Sequence, residues 1–287
     1  NELLREQLKE AFESEARLED LSDILSETIG QKVLGVGYDF EEDVMFVKIG
    51  KKLDRVVKTK RQVLSWVHSM YDPLGFICPY ILKGRIFFQM INKTKIDWKQ
   101  TVPLEILKLF ENWKKSVYHL KNIKIPRWTS ALGMENSTAE LVMFCDASAI
   151  GYGMVAYIRR SLTDGDKNHV AFLTAKSHVV PVKMMQEEVE GQQCHSDSIP
   201  RLELCAAKLA AIWRDILIRE SDSQTVLGWI SNWTSKFRTF ENFRLKKIRM
   251  LSKVSEWRFV PTKINPADVT SKGLQADNTK GWDLFHN

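Results

Sequence analysis

At 287 residues, with 44% hydrophobic and 27% charged side chains, the chain has the composition of a soluble globular protein and the length of two domains. No run approaches the roughly 18 apolar residues that a membrane-spanning helix needs; four cysteines without CxxC spacing or clustered histidines argue against a metal finger or a disulfide scaffold. The net charge of +6 is uneven: residues 1–60 hold 10 basic and 14 acidic side chains, and residues 234–263 hold 9 basic and 2 acidic.

Along residues 2–29, Leu3, Leu4, Leu8, Phe12, Leu18, Leu21, Ile24 and Leu25 recur at helical spacing, and Gly30 stops the pattern. The apolar runs 33–38 and 44–49 flank Asp39-Phe40-Glu41-Glu42-Asp43 and predict a hairpin. Three helices are expected over 59–71, 82–92 and 103–120. Asp72-Pro73-Leu74-Gly75 breaks the first, Pro79 precedes the second, and Pro103 suits the start of the third. Their aromatics, Trp66, Phe76, Phe87, Phe88, Trp98, Phe110 and Trp113, read as core rather than as platforms for bases. Residues 121–137, with Pro126, Arg127, Gly133 and Asn136, form the expected boundary.

Beyond it, the apolar runs 141–145, 151–158 and 169–177 are joined by short polar connections, the second carrying Asp164-Gly165. They predict an antiparallel meander with Asp146 at the end of its first strand. A helix is expected from about Pro200, with Glu203 in its first turn. Its core stripe is Leu202, Ala206, Leu209, Trp213, Ile216 and Leu217, while Ala207 and Ala210 leave room beside Glu203. Asp222 precedes another apolar run, 225–230. A basic helix spans about 239–254, with Leu245, Ile248, Leu251 and Phe240 or Phe243 as its apolar stripe. Asp268, in Asn265-Pro266-Ala267-Asp268, stands at the start of a last helix.

Four acids in the order Asp146, Glu203, Asp222 and Asp268, each at the edge of a strand or helix, make up the pattern of a ribonuclease H-type nuclease. Clustered carboxylates repel one another and are stable together only when protonated or bound to cations. Oxygen donors select Mg²⁺ or Mn²⁺ over zinc. Each acid also has an ordinary reading. Glu203 complements a helix dipole, Asp222 is a loop residue with Glu220 as the rival ligand, and Asp268 begins a helix.

The stretches FCDAS, IPRLELCAAKLA, SDSQTVLGWI and INPADVTSKG resemble the ribonuclease H region of BEL/Pao-type retrotransposon polyproteins, a family also labelled a peptidase. YDPLGFICPYILKGRIFFQMI resembles the stretch upstream of it, and the resemblance runs over residues 33–283. It implies an α/β, ribonuclease H-like mixed sheet with flanking helices over 138–275. Before that it implies a palm-end helix and hairpin over 1–58 and a helical, thumb-like domain over 59–127, with 276–287 as a tail. It implies that Asp146 bridges two Mg²⁺ or Mn²⁺ ions, with Glu203 and Asp222 on one and Asp268 on the other. The activity it implies is hydrolysis of the RNA strand of an RNA–DNA hybrid. The partners are the hybrid and the upstream palm and fingers, with no membrane. The chain opens on Asn1 and an acidic helical stretch, so it is expected to be cut from a longer precursor and to lack a signal peptide. The expected setting is intracellular, in the cytoplasm or in virus-like particles, with Cys145 and Cys205 as buried thiols.

Two features depart from the family. A polar loop over 184–198 carries Cys194 and His195, and no histidine lies between Asp222 and Asp268; His195 is the substitute the sequence offers. No Asp-Asp dipeptide and no Asp-Thr-Gly or Asp-Ser-Gly motif occurs. This stretch is therefore expected neither to copy DNA nor to cut peptides. Nucleic-acid contacts are expected from Ser148, beside Ala147 and Gly151, as reader of the 2′-hydroxyl. Lys236, Arg238, Arg244, Lys246, Lys247 and Arg249, interleaved with aromatics such as Trp233 and Trp257, suit a phosphate backbone. The alternatives are a catalytically silent module of the same fold that binds a hybrid or a protein, and a transposase or integrase.

Overall fold

Two antiparallel sheets of three strands are bound together by helices. The computed structural model describes residues 36–39, 41–49, 51–126, 137–162, 168–181, 198–219 and 239–286. The expected helix over 2–29, the strand over 225–230, and Cys194 and His195 lie outside them. The smaller sheet starts with the expected hairpin, β1 (Val36–Asp39) and β2 (Val44–Val47), paired from Val36↔Val47 to Asp39↔Val44. A third strand, β3 (Lys124–Pro126), adds to β2 from within the stretch read as a boundary. Three residues carry no strand periodicity of their own. Ile125, 2% exposed, plugs that strand into the core.

Between β2 and β3 lie three helices. In α1 (Lys60–Val67), Thr59 accepts from the Gln62 amide while Gln62 Oε1 accepts from the Thr59 amide at 3.0 Å, a reciprocal cap. Next comes α2 (Cys78–Lys93), which begins four residues before the expected start because Pro79 sits inside its first turn, where a missing N–H costs nothing. α3 (Leu104–Lys115) continues into a 3₁₀ turn, Ser116–Asn122. Trp66 meets Phe110 and Trp113 edge to face, Tyr80 stacks on Trp113, and the Trp66 indole donates to the Leu53 carbonyl at 2.9 Å. Of the expected core aromatics, Trp66, Phe76, Phe110 and Trp113 are buried and Phe87 and Phe88 partly so, while Trp98 is half-exposed and stacked on Phe88.

The larger sheet is the expected meander, in the order β4 (Ser137–Ala147), β5 (Gly151–Leu162) and β6 (Asn168–Val179). Its strands outrun the apolar runs. Cross-strand polar pairs carry the extension, among them Glu140 opposite Arg159, ion-paired at 2.6 Å. One face receives α4 (Ser198–Arg219) and, beyond it, α5 (Thr239–Leu251). The other receives α2 and α6 (Asp268–Lys272). α6 is not the last helix. Residues 276–286, read as a tail, contain α7 (Thr279–His286), whose Trp282 and Phe285 are buried and whose Phe285 carbonyl accepts from Tyr157 Oη at 2.7 Å.

The turn before α2 docks on the free edge of β6. Leu74 O accepts from Ala175 N and Thr174 Oγ1, both at 2.9 Å. Arg85 and Gln89 of α2 donate to the Ser177 and Val180 carbonyls at 2.9 and 2.6 Å. This covers an edge that would otherwise invite pairing with another chain. Gly75 makes the approach possible: its φ is +83°, and a Cβ there would lie 1.9 Å from Ala175 O. A single hydrophobic cluster therefore runs from Val47 through Trp66, Phe76 and Tyr80 to Val155, Phe172 and Phe285.

The same joint holds two displaced titrations. Burial pushes the Asp72 carboxyl up to about 6, against the opposing pull of the Ile77, Phe76 and Gly75 amides and the Lys176 ammonium. Burial holds His286 down at about 4, although its Nε2 lies 2.9 Å from the Phe76 carbonyl. The folded state keeps the Asp72 proton longer than the unfolded chain does, so this group lowers stability as pH rises from about 4 to 6. His286 binds its proton less readily when folded and raises stability over nearly the same range. Each term is at most about 3 kcal/mol, and they oppose. Asp72→Asn is expected to leave the histidine term alone, so that urea stability climbs between pH 4.5 and 6.5, where the parent chain stays nearly level. Parallel pH profiles for parent and variant would contradict this.

Candidate active site

Strand alternation decides which way each residue of β4 faces. Leu141, Met143 and Cys145 pack with Met154, Ala156 and Ala210 beneath α4. Asp146, opposite Gly153, faces the other side, towards α6. The loop before α6 is pinned by Asn265: Nδ2 donates to Cys145 O at 3.3 Å, and Oδ1 accepts from Ala267 N at 3.0 Å. α6 then lies almost on the strands, because β5 offers it glycines. A Cβ at position 153 would come within 2.4 Å of Thr270 Oγ1, and one at 151 within 2.6 Å of Ser271 O.

This close packing brings Asp268 to Asp146. Ser271, fully buried, donates from Oγ to Asp146 Oδ2 at 2.7 Å. Ser148 Oγ donates to Ser271 O at 2.7 Å and accepts from the Ile150 and Gly151 amides, so its hydroxyl braces the turn after β4. Lys272 Nζ lies 2.6 Å from Asp268 Oδ1, a buried oxygen that receives no well-aligned hydrogen bond among the described residues. Burial holds the Asp146 carboxyl above its ordinary value and the Asp268 charge adds to the effect; the Ser271 hydroxyl, the Ala147 amide and Lys272 pull it back.

Glu203 stands in the second turn of α4, not the first, because the helix begins at Ser198. That weakens the helix-dipole reading of this residue. Its side chain is exposed. Burial, reinforced by the charges of Asp146 and Glu203, pushes the half-buried Cys145 thiol up to about 12. Of the stripe predicted for α4, Leu202 and Ala206 are buried, while Ile216 is 37% exposed. Asp222 lies outside the described residues, as do Lys236 and Arg238. Among the described residues no three His, Cys, Asp or Glu side chains are grouped to hold a metal. The site as described is thus the pair Asp146 and Asp268, with Ser271, Ser148 and Lys272 around it.

On α5 the predicted cations divide. Arg244 is half-buried, with Nε 3.2 Å from Cys205 Sγ on α4, and Arg249 is half-buried as well. Lys246 and Lys247 are exposed. Phe243 does not join the inner stripe: it is 72% exposed.

A family profile described as Pao retrotransposon-like RNaseH-like domain matches residues 59–234. The chain belongs to this family. It is the ribonuclease H region of a BEL/Pao-type polyprotein, and the Pao assignment supports a nuclease kind of activity. The match takes in α1–α3 as well as the meander, and holds Asp146, Glu203 and Asp222. Asp268 lies beyond its end, joined to Asp146 by packing. No curated protein matches the chain. No helix among the described residues is long and apolar enough to cross a membrane.

The sequence reading missed Ser271 and Lys272. Their signal was spacing: at three and four residues beyond Asp268, both fall on its side of a helix. Replacing Ser271 with Ala removes the hydroxyl that aims Asp146. The expected result is a nuclease kcat lower by about tenfold or more, with KM little changed, from the roughly 1.5–3 kcal/mol of a hydrogen bond to a charged group. Thr should restore it. An unchanged kcat, or equal loss in the Ala and Thr variants, would contradict the role.

Proposed function

We propose that this chain hydrolyses the RNA strand of RNA–DNA hybrids in a reaction that requires Mg²⁺ or Mn²⁺. The observation that carries the reading is the Asp146–Asp268 pair: Ser271 and the packing of α6 on the strands bring a strand-end carboxylate and a helix-start carboxylate near enough for the charge of Asp268 to act on Asp146, and the buried Oδ1 of Asp268 has Lys272 as its counter-charge. Such a donor set suits a hard divalent cation. Asp146 and Asp268 would hold the ions together with Glu203 and Asp222. When bound, two such ions supply an activated water and neutralise the leaving 3′ oxygen. Ser271 keeps Asp146 oriented, and Lys272 balances the charge of Asp268.

The exposed Lys246 and Lys247 grip the phosphate backbone. Changing both to Ala is expected to weaken hybrid binding and to reduce the log–log salt slope by about one to two units, without altering the metal requirement. An unchanged slope would make them ordinary solvated lysines.

The test of function is cleavage of labelled hybrid, double-stranded DNA and single-stranded RNA with Mg²⁺ or with chelator. The reading expects cutting of the hybrid's RNA strand alone, and only with metal. Equal cutting of double-stranded DNA would favour a transposase-like enzyme. Hybrid binding without any cutting would favour a silent binding module.

A further inference from the structure

α5 is amphipathic in an unusual sense. Its inner face, Leu245, Ile248 and Leu251, packs towards α4, with Ile248 only 3% exposed. The opposite face repeats at i, i+3, i+4 and i+7: Phe243, Lys246, Lys247 and Met250. Phe243 is 72% exposed and Met250 69%, so two large apolar side chains flank two exposed ammonium groups. Beyond the helix, Arg258 is exposed and Phe259 is 90% exposed. Between residues 243 and 264 the one acid is Glu256, half-buried and tied to Arg214 at 2.7 Å. Over residues 243–264 the exposed side chains are therefore mainly cationic and apolar, with no exposed acid among them.

We infer that this face is a binding strip for single-stranded nucleic acid. It rests on the reading above only for the class of polyanion and not for the carboxylate chemistry. Lysines alone would suit any phosphate backbone. A solvent-facing phenylalanine beside them suits unpaired bases, whose flat faces are free; in a duplex those faces are already stacked. From residue 243 to 250 the helix rises about 10.5 Å, the length of about three stacked bases. An acidic peptide would be met by cations but gains little from an open ring, and a membrane surface is the remaining occupant of a basic, apolar helix face.

The test uses the whole chain carrying Asp146→Asn, so that the probes are not cut. Its affinity is measured by fluorescence anisotropy for a 5′-labelled, unstructured 12-nucleotide RNA and for a blunt hybrid of the same sequence. Phe243→Ala with Met250→Ala is expected to weaken single-strand binding by about tenfold or more, and hybrid binding by less than about threefold. Both substitutions are on solvent-facing positions, so the unfolding midpoint should hold, and a thermal melt of the double variant checks this. Equal losses on the two probes, or none, would overturn the inference. So would loss of binding to phosphatidylserine vesicles, or of self-association in sedimentation, with single-strand affinity intact. Hybrid cleavage by the parent chain, run alongside, separates the two claims. Cleavage without single-strand discrimination leaves the nuclease and removes the strip; discrimination without cleavage does the reverse.

Discussion

A chain that starts at Ser137, without the small sheet and α1–α3, is expected not to fold. The meander alone would lose the cover on its β6 edge, where Leu74 O takes the Ala175 amide and the Thr174 hydroxyl, and Arg85 and Gln89 take two carbonyls. It would also bare Val155, Tyr157, Phe172 and Ala175, which share one cluster with Phe76, Ile77 and Tyr80. Each large side chain returned to water costs about 1.5–3 kcal/mol, and a domain has only about 5–15 kcal/mol in total. α6 would lose its outer support as well, since Leu274 N donates to Pro79 O at 3.2 Å. The same joint fails at a single residue in Gly75→Ala, where a Cβ would strike the Ala175 carbonyl. Circular dichroism and amide exchange of the fragment measure this. A soluble fragment with a cooperative melt like that of the whole chain would contradict it.

This dependence changes the meaning of the helical block. The family resemblance led to the expectation of a thumb-like domain over this block, and its helical periodicity was legible because α1–α3 are amphipathic with clear Pro and Asp-Pro punctuation. That it also closes the nuclease sheet was not legible. The contacts that do so are a turn carbonyl, two long polar side chains and a glycine, and none of these has a periodicity. β3 was hidden for the same reason, as was α7, whose Trp282 and Phe285 gain meaning only from Tyr157 and Phe172 more than a hundred residues earlier.

Within the site, Asp146 was readable because an apolar run delivers it to a turn, and Asp268 because Asn-Pro-Ala-Asp announces a helix start. Their nearness was not readable, since it depends on Gly151 and Gly153 admitting α6 to the strands. Spacing leaves the choice between Phe240 and Phe243 for the inner stripe open, and only the packing of α4 on α5 turns Phe243 outward. Asp222, Lys236 and Arg238 stay expectations, because they fall outside the described residues.

The most direct measurement is hybrid cleavage by Asp146→Asn with Mg²⁺, alongside its hybrid affinity and its unfolding midpoint. Asparagine keeps the shape and still accepts from Ser271, but removes the charge that holds a cation. It also relieves a carboxylate whose charged form is disfavoured by burial and by Asp268. The account therefore predicts cleavage reduced to background, hybrid affinity retained or raised by the loss of one negative charge near phosphate, and a midpoint unchanged or higher. Cleavage by the variant at the parent's rate would place the chemistry elsewhere and contradict the account.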